Sequence, residues 1–80
     1  MLVQELIEKL KEFDPKLPVA LHGYEGGAYF TRSATEVTLA LNVNDPEEWW
    51  YGPHEIVLEG DEYMQEKTQT HEKQQVIYIT

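Results

Sequence analysis

The residues best equipped for recognition chemistry crowd into one stretch of this chain. Between Asn44 and Glu66 there are eight carboxylates and no Lys or Arg, and Trp49, Trp50, Tyr51, His54 and Tyr63 lie among them. Carboxylates attract and orient cations, while indole and phenol rings bury large area against a partner and so dominate interface hot spots. Solvated acidic loops rarely need two tryptophans, and cores rarely hold so many acids. The combination therefore reads as a binding surface, formed by Asp45, Glu47, Glu48, Trp49, Trp50, Tyr51, His54, Glu55, Asp61 and Glu62. The alternative for the Trp49–Trp50–Tyr51 run is an aromatic clamp over the end of a small sheet. Because adjacent side chains face different ways, one tryptophan is expected in the core and the other at least partly exposed.

Other constellations carry weaker chemistry. Gly23-Tyr24-Glu25-Gly26-Gly27 could offer backbone amides to an anion, but it lacks the strand–loop–helix setting of a nucleotide fingerprint and has no adjacent Lys. A plain hairpin turn is the preferred reading. A ligand site drawn from Tyr24, Glu25, Gly26, Gly27, Trp50, Tyr51 and His54, enclosing a nucleotide-like molecule, is the alternative to a protein-binding surface. His22, His54 and His71 lack metal-ligand spacing, and Pro46 interrupts the acids that a calcium loop would need, so neither a metal nor another cofactor is expected. Glu25 or Glu55 beside a histidine could exchange protons, yet Ser33 is the only serine and no catalytic signature surrounds it. No enzyme activity is expected.

Charge sharpens the class of partner. The formal net charge is −9 over 80 residues. Residues 1–40 hold six acids and four bases, whereas residues 41–80 hold nine acids and two bases. With no basic patch to displace counterions, direct nucleic-acid binding is disfavoured, and a basic partner that itself holds nucleic acid is favoured. No apolar run is long enough to span a bilayer, and no basic-then-apolar leader opens the chain, so no membrane partner is expected. Cysteine is absent, which fits a reducing compartment, and a cytoplasmic protein is the expectation.

These residues need a scaffold, and the pattern supplies one. Leu2, Leu6, Ile7, Leu10 and Phe13 recur at spacings of three and four, predicting a helix that Pro15 stops near Phe13. Glu5 and Lys9, then Glu12 and Lys16, stand four apart in the favourable order. Residues 17–22 read as a strand leading into the glycine turn, with residues 28–36 an irregular edge. Val37, Leu39, Leu41 and Val43 alternate with Thr38, Ala40 and Asn42, predicting a strand over 37–43 with one packed face. Asn44-Asp45-Pro46 ends it and could cap a short helical turn. Residues 55–59 and 75–80 read as further strands, and 62–75 as a loop or exposed hairpin.

The expected fold is α+β: one domain over residues 1–80, an N-terminal helix packed on one face of a mostly antiparallel four-stranded sheet, in two layers. The first and last strands are expected to pair near the centre. Because one helix covers one sheet face and the core is small, a homodimer is also expected.

The chain resembles small phage and bacterial proteins that open with a helix like Val3-Gln4-Glu5-Leu6-Ile7-Glu8-Lys9-Leu10 and continue to a Gly23-Tyr24-Glu25-Gly26-Gly27 turn. Leu39-Ala40-Leu41-Asn42-Val43-Asn44 and Trp50-Tyr51-Gly52-Pro53-His54-Glu55 complete the likeness, which covers about two-thirds of the chain but not residues 61–73. It implies a phage-like setting and no particular mechanism. Size, charge and layout also resemble anti-CRISPR proteins that mimic DNA. The resulting expectation is a counter-defence protein that inhibits a basic host factor, with nucleotide sequestration and a structural oligomerisation domain as alternatives.

Overall fold

A computed structural model describes all 80 residues, in the order α1 (Val3–Leu10), β1 (Ala20–His22), β2 (Ala28–Phe30), β3 (Ala34–Ala40), β4 (Glu55–Val57), α2 (Glu62–Lys67) and β5 (Lys73–Ile79). The fold is α+β, with two short helices and two antiparallel sheets. Five strands in sheets of two and three replace the expected single sheet of four. The chain divides into two compact units, one of Met1–Ala34 with Ile79–Thr80 and the other of Thr35–Tyr78.

In the first unit, α1 begins without a side-chain cap at Leu2. It ends by tightening, since the Glu12 and Phe13 amides donate to carbonyls only three residues back. Asp14-Pro15-Lys16-Leu17 then makes a β-turn with proline at its favoured second position. The Leu17 amide donates to the Asp14 carbonyl, and the Asp14 carboxylate accepts from the Lys16 amide. The apolar stripe of α1 stays largely uncovered: Leu6 is half-buried, whereas Leu2, Ile7, Leu10 and Phe13 are exposed.

β1 and β2 form a hairpin with Ala20 opposite Phe30 and His22 opposite Ala28. The strand expected over 17–22 is thus shorter, and part of the expected irregular edge is its partner. The first strand pairs with β2 and the last with β3, so these two do not meet at a sheet centre. In the connecting turn Glu25, Gly26 and Gly27 all take positive φ, and the Gly23 amide donates to the Gly27 carbonyl at 2.9 Å. A Cβ on Gly23 would lie 2.3 Å from the Gly26 carbonyl oxygen, so this position excludes any side chain. Ser33 and Thr80 exchange backbone hydrogen bonds at 3.0 Å in both directions, and their hydroxyls meet at 2.8 Å.

The second unit is built on the sheet β4–β3–β5. Thr38 faces Val57, Leu39 faces Ile56 and Ala40 faces Glu55 across β3 and β4. β3 is paired along both edges, and within it Val37, Thr38 and Leu39 are all half-buried and Ala40 fully buried. The one-sided burial expected from alternation is absent. Alternation also stops early, because Asn42 turns into the left-handed region at φ 56° and ends the strand. Thr38 and Glu36 each hydrogen-bond Gln75 of β5 through side chains.

Residues 62–67, expected to be loop, form α2. The Asp61 carboxylate caps it by accepting from the Met64 amide at 3.1 Å. At the other end the buried Thr68 hydroxyl donates to the Met64 carbonyl at 2.7 Å. The Lys73 ammonium donates to the carbonyls of Thr68 and His71, satisfying the terminus with a positive charge.

Candidate functional site: a clasped acidic-aromatic loop

Residues 45–52 leave β3 and return to β4 as a compact loop whose two ends are tied together. The Val43 and Asn44 amides both donate to the Pro53 carbonyl, at 2.8 and 3.1 Å. The Asn44 side-chain amide donates to the Gly52 carbonyl at 2.7 Å and to the Glu55 carboxylate at 2.9 Å. Two residues before Asn44, the Asn42 amide donates to His54 Nδ1 at 2.9 Å. The Leu41–Asn42 peptide is therefore gripped on both sides, because the Leu41 carbonyl lies 3.0 Å from His71 Nδ1. An acceptor Nδ1 on His54 places its proton on Nε2, and a carbonyl partner makes His71 Nδ1 a donor. Two sequence segments thus act as halves of one clasp, residues 42–44 against 52–55.

Inside the clasp the chain makes two successive β-turns. Asp45-Pro46-Glu47-Glu48 closes with the Glu48 amide on the Asp45 carbonyl at 2.9 Å, reinforced by the Asp45 carboxylate accepting from the Glu47 amide. Glu48-Trp49-Trp50-Tyr51 closes with the Tyr51 amide on the Glu48 carbonyl at 3.0 Å. No helical turn forms over these residues. The second turn sets both tryptophans at its corners. Trp49 is 82% exposed, Trp50 50% and Tyr51 57%, so neither indole is core. They stack edge to face with centroids 5.9 Å apart, and Tyr51 follows Trp50 at 6.1 Å.

The sequence-derived site residues therefore separate by role. Asp45, Glu47, Glu48, Trp49, Trp50 and Tyr51 share the exposed loop. His54 and Glu55 belong to its clasp, and Asp61 is spent on capping α2, with Glu62 beside it in the first helical turn. Of the ligand-site alternative, Tyr24, Glu25, Gly26 and Gly27 lie in the first unit and Trp50, Tyr51 and His54 in the second. The glycine turn uses the Gly23 and Gly26 amides internally, which removes two of the donors that an anion would need.

Electrostatics add the second half of the site. The only ion pair in the structure joins Lys11 and Glu8 at 2.9 Å, in the first unit. The second unit holds ten acids against Lys67 and Lys73, and none of the ten forms an ion pair. No three His, Asp or Glu side chains converge as metal ligands. No helix is long and apolar enough to cross a membrane. Searches among protein families, curated proteins and solved structures found no match to this chain.

Proposed function

We propose that this chain is a non-enzymatic binding protein whose loop 45–52 docks on a basic, nucleic-acid-binding surface of another protein. The observation that carries this reading is a pair of exposed tryptophans held on a clasped turn, among carboxylates with no internal counter-charge. Exposed indoles are costly to hydrate, and their faces attract guanidinium and ammonium groups. Asp45, Glu47 and Glu48 supply the matching negative field, steering a cationic surface toward the rings. The clasp reduces the ordering cost at the moment of binding.

Phage origin and inhibition of a host defence factor complete the proposal, on the strength of the phage-like sequence pattern and the DNA-like charge. The cytoplasm is the matching compartment. Occupying a surface that normally holds nucleic acid would inhibit such a factor by competition.

Three forms of the chain immobilised for capture from host lysate test the reading: wild type, Trp49→Ala/Trp50→Ala, and Asp45→Asn/Glu47→Gln/Glu48→Gln. Wild type should retain a nucleic-acid-binding protein that added DNA displaces, and both variants should lose it. Equal retention by all three forms, or indifference to added DNA, would sink the proposal.

A further inference from the structure

In the first unit the apolar stripe of α1 is largely uncovered, with only Leu6 half-buried. Leu2, Val3, Ile7, Leu10 and Phe13 are all at or near half exposure or beyond. Beside the stripe lies an open, mostly apolar cleft of about 360 Å³, lined by Leu10, Phe13, Pro15, Leu17, Pro18 and Val19, with Asp14 the one charged residue in its wall. Contiguous apolar surface of this kind marks an association site, and the charges around it specify the occupant.

At 100° per residue, Glu5 and Lys9 border the stripe on one side and Gln4 and Lys11 border it on the other. When two copies of one helix pack antiparallel, each border meets its own counterpart. About a two-fold axis at Ile7, Glu5 of one copy then faces Lys9 of the other, twice. Parallel packing would instead bring the Lys9 border against the Lys11 border and repel. Neither Glu5 nor Lys9 has an ion-pair partner within the chain, since Lys11 takes Glu8. The same antiparallel register carries Leu2 of one copy over Leu10 and Phe13 of the other, toward the cleft.

Net charge permits this contact here and opposes it elsewhere. The first unit holds five acids and four bases, whereas the second holds ten acids and two bases. Self-association through the second unit would set like fields together; through α1 it does not.

We infer that the chain forms a two-fold symmetric homodimer through antiparallel pairing of α1, with Glu5 and Lys9 as the reciprocal charge contacts. Such a dimer is isologous and uses no residue of the acidic loop. The contact is short, so the dimer should dissociate on dilution through the micromolar range.

Sedimentation equilibrium on the full chain, over a concentration series, tests this. Wild type should approach twice the 9.3 kDa chain mass as concentration rises. Ile7→Glu should stay monomeric. Glu5→Lys and Lys9→Glu should each weaken the dimer about tenfold, because two contacts turn repulsive, and the combined Glu5→Lys/Lys9→Glu chain should recover wild-type association. Circular dichroism on each variant confirms that the fold survives. A wild-type monomer at every concentration, which is also the result if the stripe is covered within its own chain, overturns the inference. So does failure of the charge swap to restore the dimer.

Discussion

Asn44→Ala isolates the clasp from the surface that it holds. The Asn44 side-chain amide makes two hydrogen bonds, to the Gly52 carbonyl at 2.7 Å and to the Glu55 carboxylate at 2.9 Å. A neutral bond of this kind contributes about 1 kcal/mol net, and one to a carboxylate about 1.5–3 kcal/mol when buried. Asn44 and Glu55 are half-buried, so water can replace part of the second bond, and about 2 kcal/mol is the expected total. The loss should appear as local opening, read by hydrogen exchange of the Val43 and Asn44 amides, which donate to Pro53 across the same clasp. An opening free energy lower by that amount speeds exchange about 30-fold. Asn44→Asp should exchange at least as fast, since it sets a second carboxylate against Glu55. Glu55→Gln keeps an acceptor oxygen and should exchange more slowly than either. Unchanged protection in Asn44→Ala, or wild-type behaviour of Asn44→Asp, would refute the assignment of Asn44 as the clasp.

Three further outcomes follow from the same geometry. Trp49→Ala should leave stability within about 0.5 kcal/mol by urea titration, because the side chain is 82% exposed, yet reduce capture of a basic partner by about 2 kcal/mol or more. Gly23→Ala should destabilise the β1–β2 hairpin by about 1–3 kcal/mol, because its methyl would meet the Gly26 carbonyl oxygen; cross-strand NMR contacts between Leu21 and Tyr29 would report the loss. Asp61→Ala should cost about 1 kcal/mol and lower helical ellipticity, whereas Asp61→Asn should retain most of the cap.

Particular residues show why parts of this structure could be read in advance and others not. The helix at residues 3–10 was legible from the apolar spacing of Leu2, Leu6, Ile7 and Leu10, and the hairpin turn from its glycines, because both signals are local. The six-residue α2 was not, although Asp61, Glu62 and Lys67 stand in favourable terminal positions. So short a helix with one half-buried apolar residue, Met64, carries no periodicity to find. Exposure of both tryptophans also ran against expectation. Neighbouring side chains alternate between core and solvent along a strand, but Trp49 and Trp50 occupy a turn, where that rule has no force.

By itself the sequence determined composition-level facts: the lopsided charge, the aromatic run among acids, the amphipathic first helix and the α+β class. Each depends on residue identity or on spacings of a few positions. Only the tertiary structure decided that β3 is central, that two sheets form and that His54, Glu55 and Asp61 serve structure at positions first grouped with the binding surface. Those outcomes depend on which distant segment supplies a backbone partner. Asn42 and His54, or Asn44 and Glu55, meet only after the chain has turned back on itself, and nothing in either residue's neighbours encodes that pairing.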